Sequence, residues 1–127
     1  MKRGFKALSS VIAAVALAAG AVFAAGYESI SGAQLEAMMK DGEKLVIIDV
    51  REPELYAQGH IPGAVNIPYE TARKRILKEL DRDERNVFVC HGGPMGDELA
   101  GILVENGFRH VYNLRGGMRW WRGPVTK

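Results

Sequence analysis

The segment Val87-Phe88-Val89-Cys90-His91-Gly92-Gly93-Pro94-Met95-Gly96 runs from an apolar stretch through the chain's only cysteine into a glycine-rich loop. A short apolar run bounded by turn residues matches a strand buried on both faces of a parallel sheet. A helical pattern follows from about Asp97 to Asn106 and stops at Gly107, so the unit is strand, loop, helix. In α/β proteins ligands collect outside the carboxyl ends of such strands, which makes Cys90 the first candidate for chemistry.

The same alternation extends in both directions. Upstream, Ser31-Gly32-Ala33-Gln34 predicts a capping box opening a short helix that ends near Asp41-Gly42. Leu45-Val46-Ile47-Ile48 is a second buried-strand run stopping at Asp49, and Glu52-Pro53-Glu54 starts a short helix halted by Gly59. His60-Ile61-Pro62-Gly63 is a turn, Ala64 to Ile67 a brief strand closed by Pro68, and Thr71 to Leu80 a third helix. Downstream, Val111 to Leu114 predicts another strand, and Arg115-Gly116-Gly117 turns into a last short helix carrying Trp120 and Trp121. Short buried strands alternating with helices predict an α/β fold with a mainly parallel sheet covered on both faces. Asp49, Cys90 and Arg115 each fall at or just past a strand's carboxyl end and are expected to share one crevice.

The N-terminus has a separate logic. Lys2, Arg3 and Lys6 precede an apolar stretch from Ala7 to Ala19, and small residues surround Val22 to Ala25. This is the layout of a secretory signal peptide cut after Ala24, which predicts residues 1–24 as leader, 25–127 as one domain, and a periplasmic or otherwise exported protein. The alternative is an uncleaved N-terminal anchor, although a span needs about 20 apolar residues and the clean stretch here is shorter. Cleavage implies no stable membrane insertion. It leaves 103 of 127 residues, enough for one core and too few for two.

Loss of the leader also removes three basic and no acidic residues, turning the net charge of +2 into −1. The remaining basic residues are interleaved with acidic ones, so no nucleic-acid partner is expected. One cysteine excludes an internal disulfide. A free thiol in an oxidising compartment then has two readings: a strand-end cysteine packed as a small hydrophobe, or a nucleophile or sulfur carrier.

The loop after Cys90 bears on that choice. The glycines of His91-Gly92-Gly93-Pro94-Met95-Gly96 allow successive backbone N–H groups to form a concave nest, with the positive end of the following helix beside it. Such donors would favour a thiolate and hold an anionic adduct on the sulfur. Pro94 removes one donor from this cradle.

Other residues carry less. Asp49 and Arg51 are expected to brace a turn, and His60 to satisfy backbone groups. His60, His91 and His110 have no metal-ligand spacing with Cys90, so no metal is predicted. Trp120 and Trp121 are expected to pack with one edge exposed. Arg73, Lys74, Arg75 and Lys78 predict a solvated helix face.

Ile48-Asp49-Val50-Arg51-Glu52, then Tyr56, then Gly59-His60-Ile61-Pro62-Gly63-Ala64-Val65-Asn66-Ile67-Pro68 closely resembles the N-terminal signature of the rhodanese family of sulfurtransferases. Val89-Cys90 with its glycine loop, Gly107-Phe108, and Gly116-Gly117-Met118 with Trp120 or Trp121 are similar to the family's later landmarks. The resemblance implies a single rhodanese-like domain with a five-stranded sheet. It also implies that Cys90 takes a sulfane sulfur from thiosulfate, polysulfide or a persulfide, holds it as a persulfide, and passes it to a small-molecule acceptor or a protein thiol acceptor. No cofactor is implied. The substrate-binding residues expected around Cys90 are His91, Gly92, Gly93, Pro94, Met95, Gly96 and Arg115. An alternative function is a sulfur-carrier or sulfur-sensing module that serves a partner protein without rapid turnover.

One departure matters. The family loop commonly reads Cys-x-x-Gly-x-Arg; Gly93 fits the glycine, but Met95 stands where the arginine would be. Losing a charge-assisted contact costs on the order of 1.5–3 kcal/mol, or about one to two powers of ten in thiosulfate use. Arg115 is the expected replacement cation, with His91 adding polarity beside the sulfur. The missing arginine and the absence of an extra loop residue also weigh against phosphatase chemistry.

Overall fold

The computed structural model describes residues 23–24 and 26–127. The predicted leader through residue 22 lies outside them. The strands are β1 (Phe23–Ala24), β2 (Tyr27–Ile30), β3 (Leu45–Asp49), β4 (Val65–Asn66), β5 (Arg85–Val89) and β6 (Val111–Leu114). The helices are α1 (Gly32–Lys40), α2 (Pro53–Gln58), α3 (Tyr69–Glu79), α4 (Pro94–Glu105) and α5 (Gly117–Trp120).

The strands form one sheet in the order β1-β2-β6-β5-β3-β4. Five of them, β2 to β6, pair in parallel, and the two-residue β1 adds an antiparallel edge to β2. Cleavage after Ala24 would remove β1 and leave those five parallel strands. β2 has no counterpart among the strands read from local pattern, because Tyr27-Glu28-Ser29-Ile30 is not an apolar run. Its pairing with β6 is a tertiary event.

Alternate residues of the central strands enter two separate cores, as the period of two requires. Ile48, Phe88 and Cys90 face a cluster with Ala72 and Ile76 of α3 and Leu99 and Leu103 of α4. Ile47, Val87 and Val89 face the other side, against Leu35 of α1 and Trp121. The sheet is therefore covered on both faces, as the continuous apolar strand runs predict.

The direction of each crossover follows from this layering. The chain moves toward β4 past one face, by α1 and α2, and toward β6 past the other, by α3 and α4. A single crossover hand demands opposite faces for opposite directions. The reversal falls between β3 and β5, so the crevice for ligands opens between their carboxyl ends.

Local signals mostly hold. Ser31 caps α1 through the predicted box: its hydroxyl accepts from the Gln34 amide at 3.1 Å, and Gln34 Oε1 accepts from the Ser31 amide at 2.8 Å. Two helix starts differ from the sequence pattern, α3 at Tyr69 instead of Thr71 and α4 at Pro94 instead of Asp97. In α4 the proline is at the first helical turn, where its fixed φ suits the helix and its missing N–H costs nothing. Gly93, at φ 126°, makes the break ahead of it. The connecting loop is accordingly shorter than the glycine pattern suggests, and Met95 and Gly96 belong to the first turn of α4. Among the described residues no helix is long and apolar enough to cross a membrane.

Candidate active site

Cys90 follows directly on β5, the strand next to the reversal point, and is only 1% exposed. Its Sγ accepts a hydrogen bond from the Gly93 amide at 3.0 Å. Among the described residues, the amides of His91, Gly92, Met95 and Gly96 have no intrachain acceptor. The last two are orphan donors of a helix's first turn. Cys90, His91, Gly92, Pro94, Met95 and Arg119 line a cavity of about 250 Å³. A second cavity adjoins it across Met95, lined by Val50, Glu52, Pro68, Tyr69 and Glu70.

Two supports hold the loop from behind. Asn113, on β6, donates through Nδ2 to the Gly93 carbonyl at 3.0 Å and to Asp97 Oδ1 at 2.9 Å. Tyr27 donates to the same Asp97 oxygen at 2.9 Å. Burial and the Asp97 carboxylate together push the Tyr27 hydroxyl up to about 12, against an ordinary value of 10. Gly96 lets the helix approach: a Cβ there would lie 1.9 Å from Asn113 Oδ1. That oxygen is buried without a hydrogen-bond partner, so the amide's orientation is set by its two acceptors on the other side.

The second support comes from α5. Met118 donates its amide to the Cys90 carbonyl at 2.8 Å, and Arg119 donates to the His91 carbonyl at 3.0 Å. This close approach requires Gly117, whose φ is 55° and where a Cβ would sit 2.3 Å from the Cys90 oxygen. The Gly116-Gly117 pair is thus explained by contact with the Cys90 loop.

His91 reaches Glu52 Oε1 with Nε2 at 2.9 Å, linking the Cys90 loop to the loop after β3. The Glu52 carboxyl is held below its usual value, first by its own backbone N–H and then by His91.

Most of the expected site residues therefore meet: His91, Gly92, Pro94 and Met95 line the cavity with Cys90, while Gly93 and Gly96 are buried beneath it. Arg115 does not join them. Its amide extends the β6 ladder to the Ile30 carbonyl at 2.8 Å, and its guanidinium donates to Ser29 O at 3.2 Å. It is held on the β2 side of the sheet, in a separate depression with Ser31, Glu36 and Trp120. The cation in the Cys90 cavity is Arg119, which sequence reading missed. Asn113, Asp97 and Tyr27 were missed as well. An asparagine inside a buried strand was the one available signal, since buried amides are uncommon without a partner to hold.

Asp49, Arg51 and His60 serve the scaffold. Arg51 forks onto Asp49, with Nη2 to Oδ2 at 2.8 Å, and reaches the Gly59 carbonyl at 2.7 Å. The His60 ring bonds the Tyr56 carbonyl through Nδ1 at 2.8 Å and stacks on the Tyr56 ring at 3.7 Å. Its backbone exchanges hydrogen bonds with Thr126, tying down the C-terminal tail. Trp121 is buried and Trp120 is 63% exposed. Among the described residues no group of three or more His, Cys, Asp or Glu is arranged to hold a metal.

Five parallel strands with a thiol at the sheet's reversal point, backed by a glycine-bearing turn, place the chain among the small single-sheet α/β domains. The rhodanese-like domain family matches residues 31–123, and the chain belongs to it. It is 33% identical over 96 residues to thiosulfate sulfurtransferase GlpE of Pseudomonas entomophila, covering 76% of this chain and 85% of that one. It is 40% identical over 83 residues, 65% of its length, to a Bacillus subtilis protein named "Putative sulfur carrier protein YrkF", and the match spans 44% of that protein. Its fold matches a rhodanese-related protein from Thermoplasma volcanium with a TM-score of 0.70 and 29% identity, covering 79% of this chain and 98% of that one. The function is of the sulfurtransferase type.

Proposed function

We propose that Cys90 is the nucleophile of a persulfide-forming sulfurtransferase. The Cys90 thiolate attacks the sulfane sulfur of a donor, forming a new S–S bond as the donor's own S–S bond breaks. With thiosulfate the departing group is sulfite, which leaves with the bonding electron pair; Cys90 becomes a persulfide anion and total charge is conserved. A thiophilic acceptor then takes the outer sulfur: cyanide leaves as thiocyanate and Cys90 returns to thiolate.

The observation that carries this reading is the setting of Cys90 Sγ, at the wall of a cavity with a backbone N–H 3.0 Å away and further unengaged amides in the same turn. Fixed N–H dipoles stabilise a sulfur anion without reorganising. The first-turn amides of α4 add the favourable field of a helix N-terminus. Intact-mass measurement after incubation with thiosulfate, polysulfide and glutathione persulfide tests the reading. Gain of one sulfur in the wild type and none in Cys90→Ser is expected; no gain with any donor refutes it.

The match to a protein named as a sulfur carrier favours a second reading, in which the domain loads sulfur but hands it on only to a partner protein. Multiple turnovers to cyanide or dithiothreitol alone would exclude it. In either case we propose that the domain is exported by the leader at residues 1–24, which mass measurement of the mature protein tests.

A further inference from the structure

The family's usual loop arginine is replaced by Met95, yet the cavity at Cys90 is not without a cation. Arg119 lines its wall, with Nη1 3.8 Å from where a Cβ on Gly92 would stand. None of the ion pairs among the described residues includes Arg119. Its guanidinium is therefore free to take an anion. Glu52, in the adjoining cavity, is engaged with His91.

The position of Arg119 does not depend on its own side chain. Its amide is bonded to the His91 carbonyl, the preceding amide to the Cys90 carbonyl, and Gly117 permits the contact. The same backbone stitch that steadies the Cys90 loop thus delivers a cation to it from another part of the chain. Guanidinium forks match oxyanions in shape and charge.

We propose that Arg119 grips the oxyanion end of a sulfonate-bearing sulfane donor such as thiosulfate, in the role left vacant by Met95. The inference rests on the persulfide reading of Cys90. Arg119 holds the donor's sulfonate while the Cys90 thiolate attacks the outer sulfur, and it then faces the sulfite that departs with the electron pair of the broken S–S bond.

The test follows the second-order rate of Cys90 loading from thiosulfate, read as sulfite release, in the wild type, Arg119→Ala, Arg119→Lys and Arg122→Ala. Arg119→Ala is expected to lose about tenfold, the worth of one exposed charge-assisted contact. Arg119→Lys should recover part of that loss, and Arg122→Ala, with the same charge change in the separate depression, should stay within about twofold. Raising ionic strength should slow the wild type more than Arg119→Ala. Loading from an alkyl hydropersulfide, which lacks an oxyanion, and discharge to dithiothreitol should be unchanged in Arg119→Ala. An unaltered thiosulfate rate in Arg119→Ala, or an equal loss with both donors, overturns the proposal. A wild type that loads from the hydropersulfide but not from thiosulfate overturns it while leaving the persulfide reading intact. A wild type that loads from neither overturns both.

Discussion

The carboxyl ends of β3 and β5 lie side by side in the sheet, and they are finished in opposite ways. At β3, Asp49 and Arg51 exchange three side-chain hydrogen bonds, Arg51 also bonds the Gly59 carbonyl, and Asn66 caps the carbonyls of both residues. At β5, one thiol meets one amide, and neighbouring amides of the turn have no intrachain acceptor. A buried charge is tolerated only with its partners in place, so the first end is closed and serves as architecture. The second end leaves donors for something from outside. Two neighbouring strand ends thus differ in whether their polar groups are already spent on one another.

Cys90→Ser should produce the largest effect, complete loss of sulfur uptake with the fold retained, read by intact mass and circular dichroism. Asp49→Ala strands the Arg51 guanidinium, and urea denaturation should register a loss of about 3–5 kcal/mol. A loss below about 1 kcal/mol would erase the contrast between the two strand ends. Gly117→Ala forces a side chain into positive φ and into the Cys90 carbonyl, costing about 1–3 kcal/mol and slowing Cys90 loading. Asp49→Ala, once folded at low temperature, should load sulfur faster than Gly117→Ala relative to its stability, because only Gly117 touches the Cys90 turn.

Tyr27→Phe removes the bond to Asp97 that backs the same turn and should cost about 1 kcal/mol. It also carries a pH signature. The folded Tyr27 hydroxyl titrates at about 12 instead of 10, so its added stability is present below pH 10 and declines as pH rises from 10 toward 12. Denaturant midpoints across that window should fall less steeply in Tyr27→Phe. The smallest effect belongs to the exposed Glu52–His91 link, where His91→Ala should raise the Glu52 carboxyl midpoint toward its ordinary value in an NMR titration. Any support this carboxylate lends is present above the usual carboxylate range and lost as pH falls through its lowered midpoint.

Much of this site was legible along the chain, because strand, thiol and glycine turn are contiguous from Val87 to Gly96. The start of α4 was not. A glycine-rich run of six residues suggests a loop to its end, but Pro94 and the positive φ of Gly93 close it early. Arg115 and Arg119 show the other limit. Both lie near the last strand's end, and only the continued pairing of Arg115 with β2 and the stitch of Arg119 to His91 decide which cation faces the sulfur.

The sequence by itself determined the alternation of buried strands and helices, the capped start of α1, and the thiol at a strand end, since each depends on hydrophobic period or local backbone preference. Tertiary structure alone decided that Gly117 meets Cys90, that Asn113 and Tyr27 brace the turn, and that Arg119 lines its cavity. Those contacts join residues at least sixteen positions apart. They arise from how β6, α4 and α5 pack around β5, which no local pattern encodes.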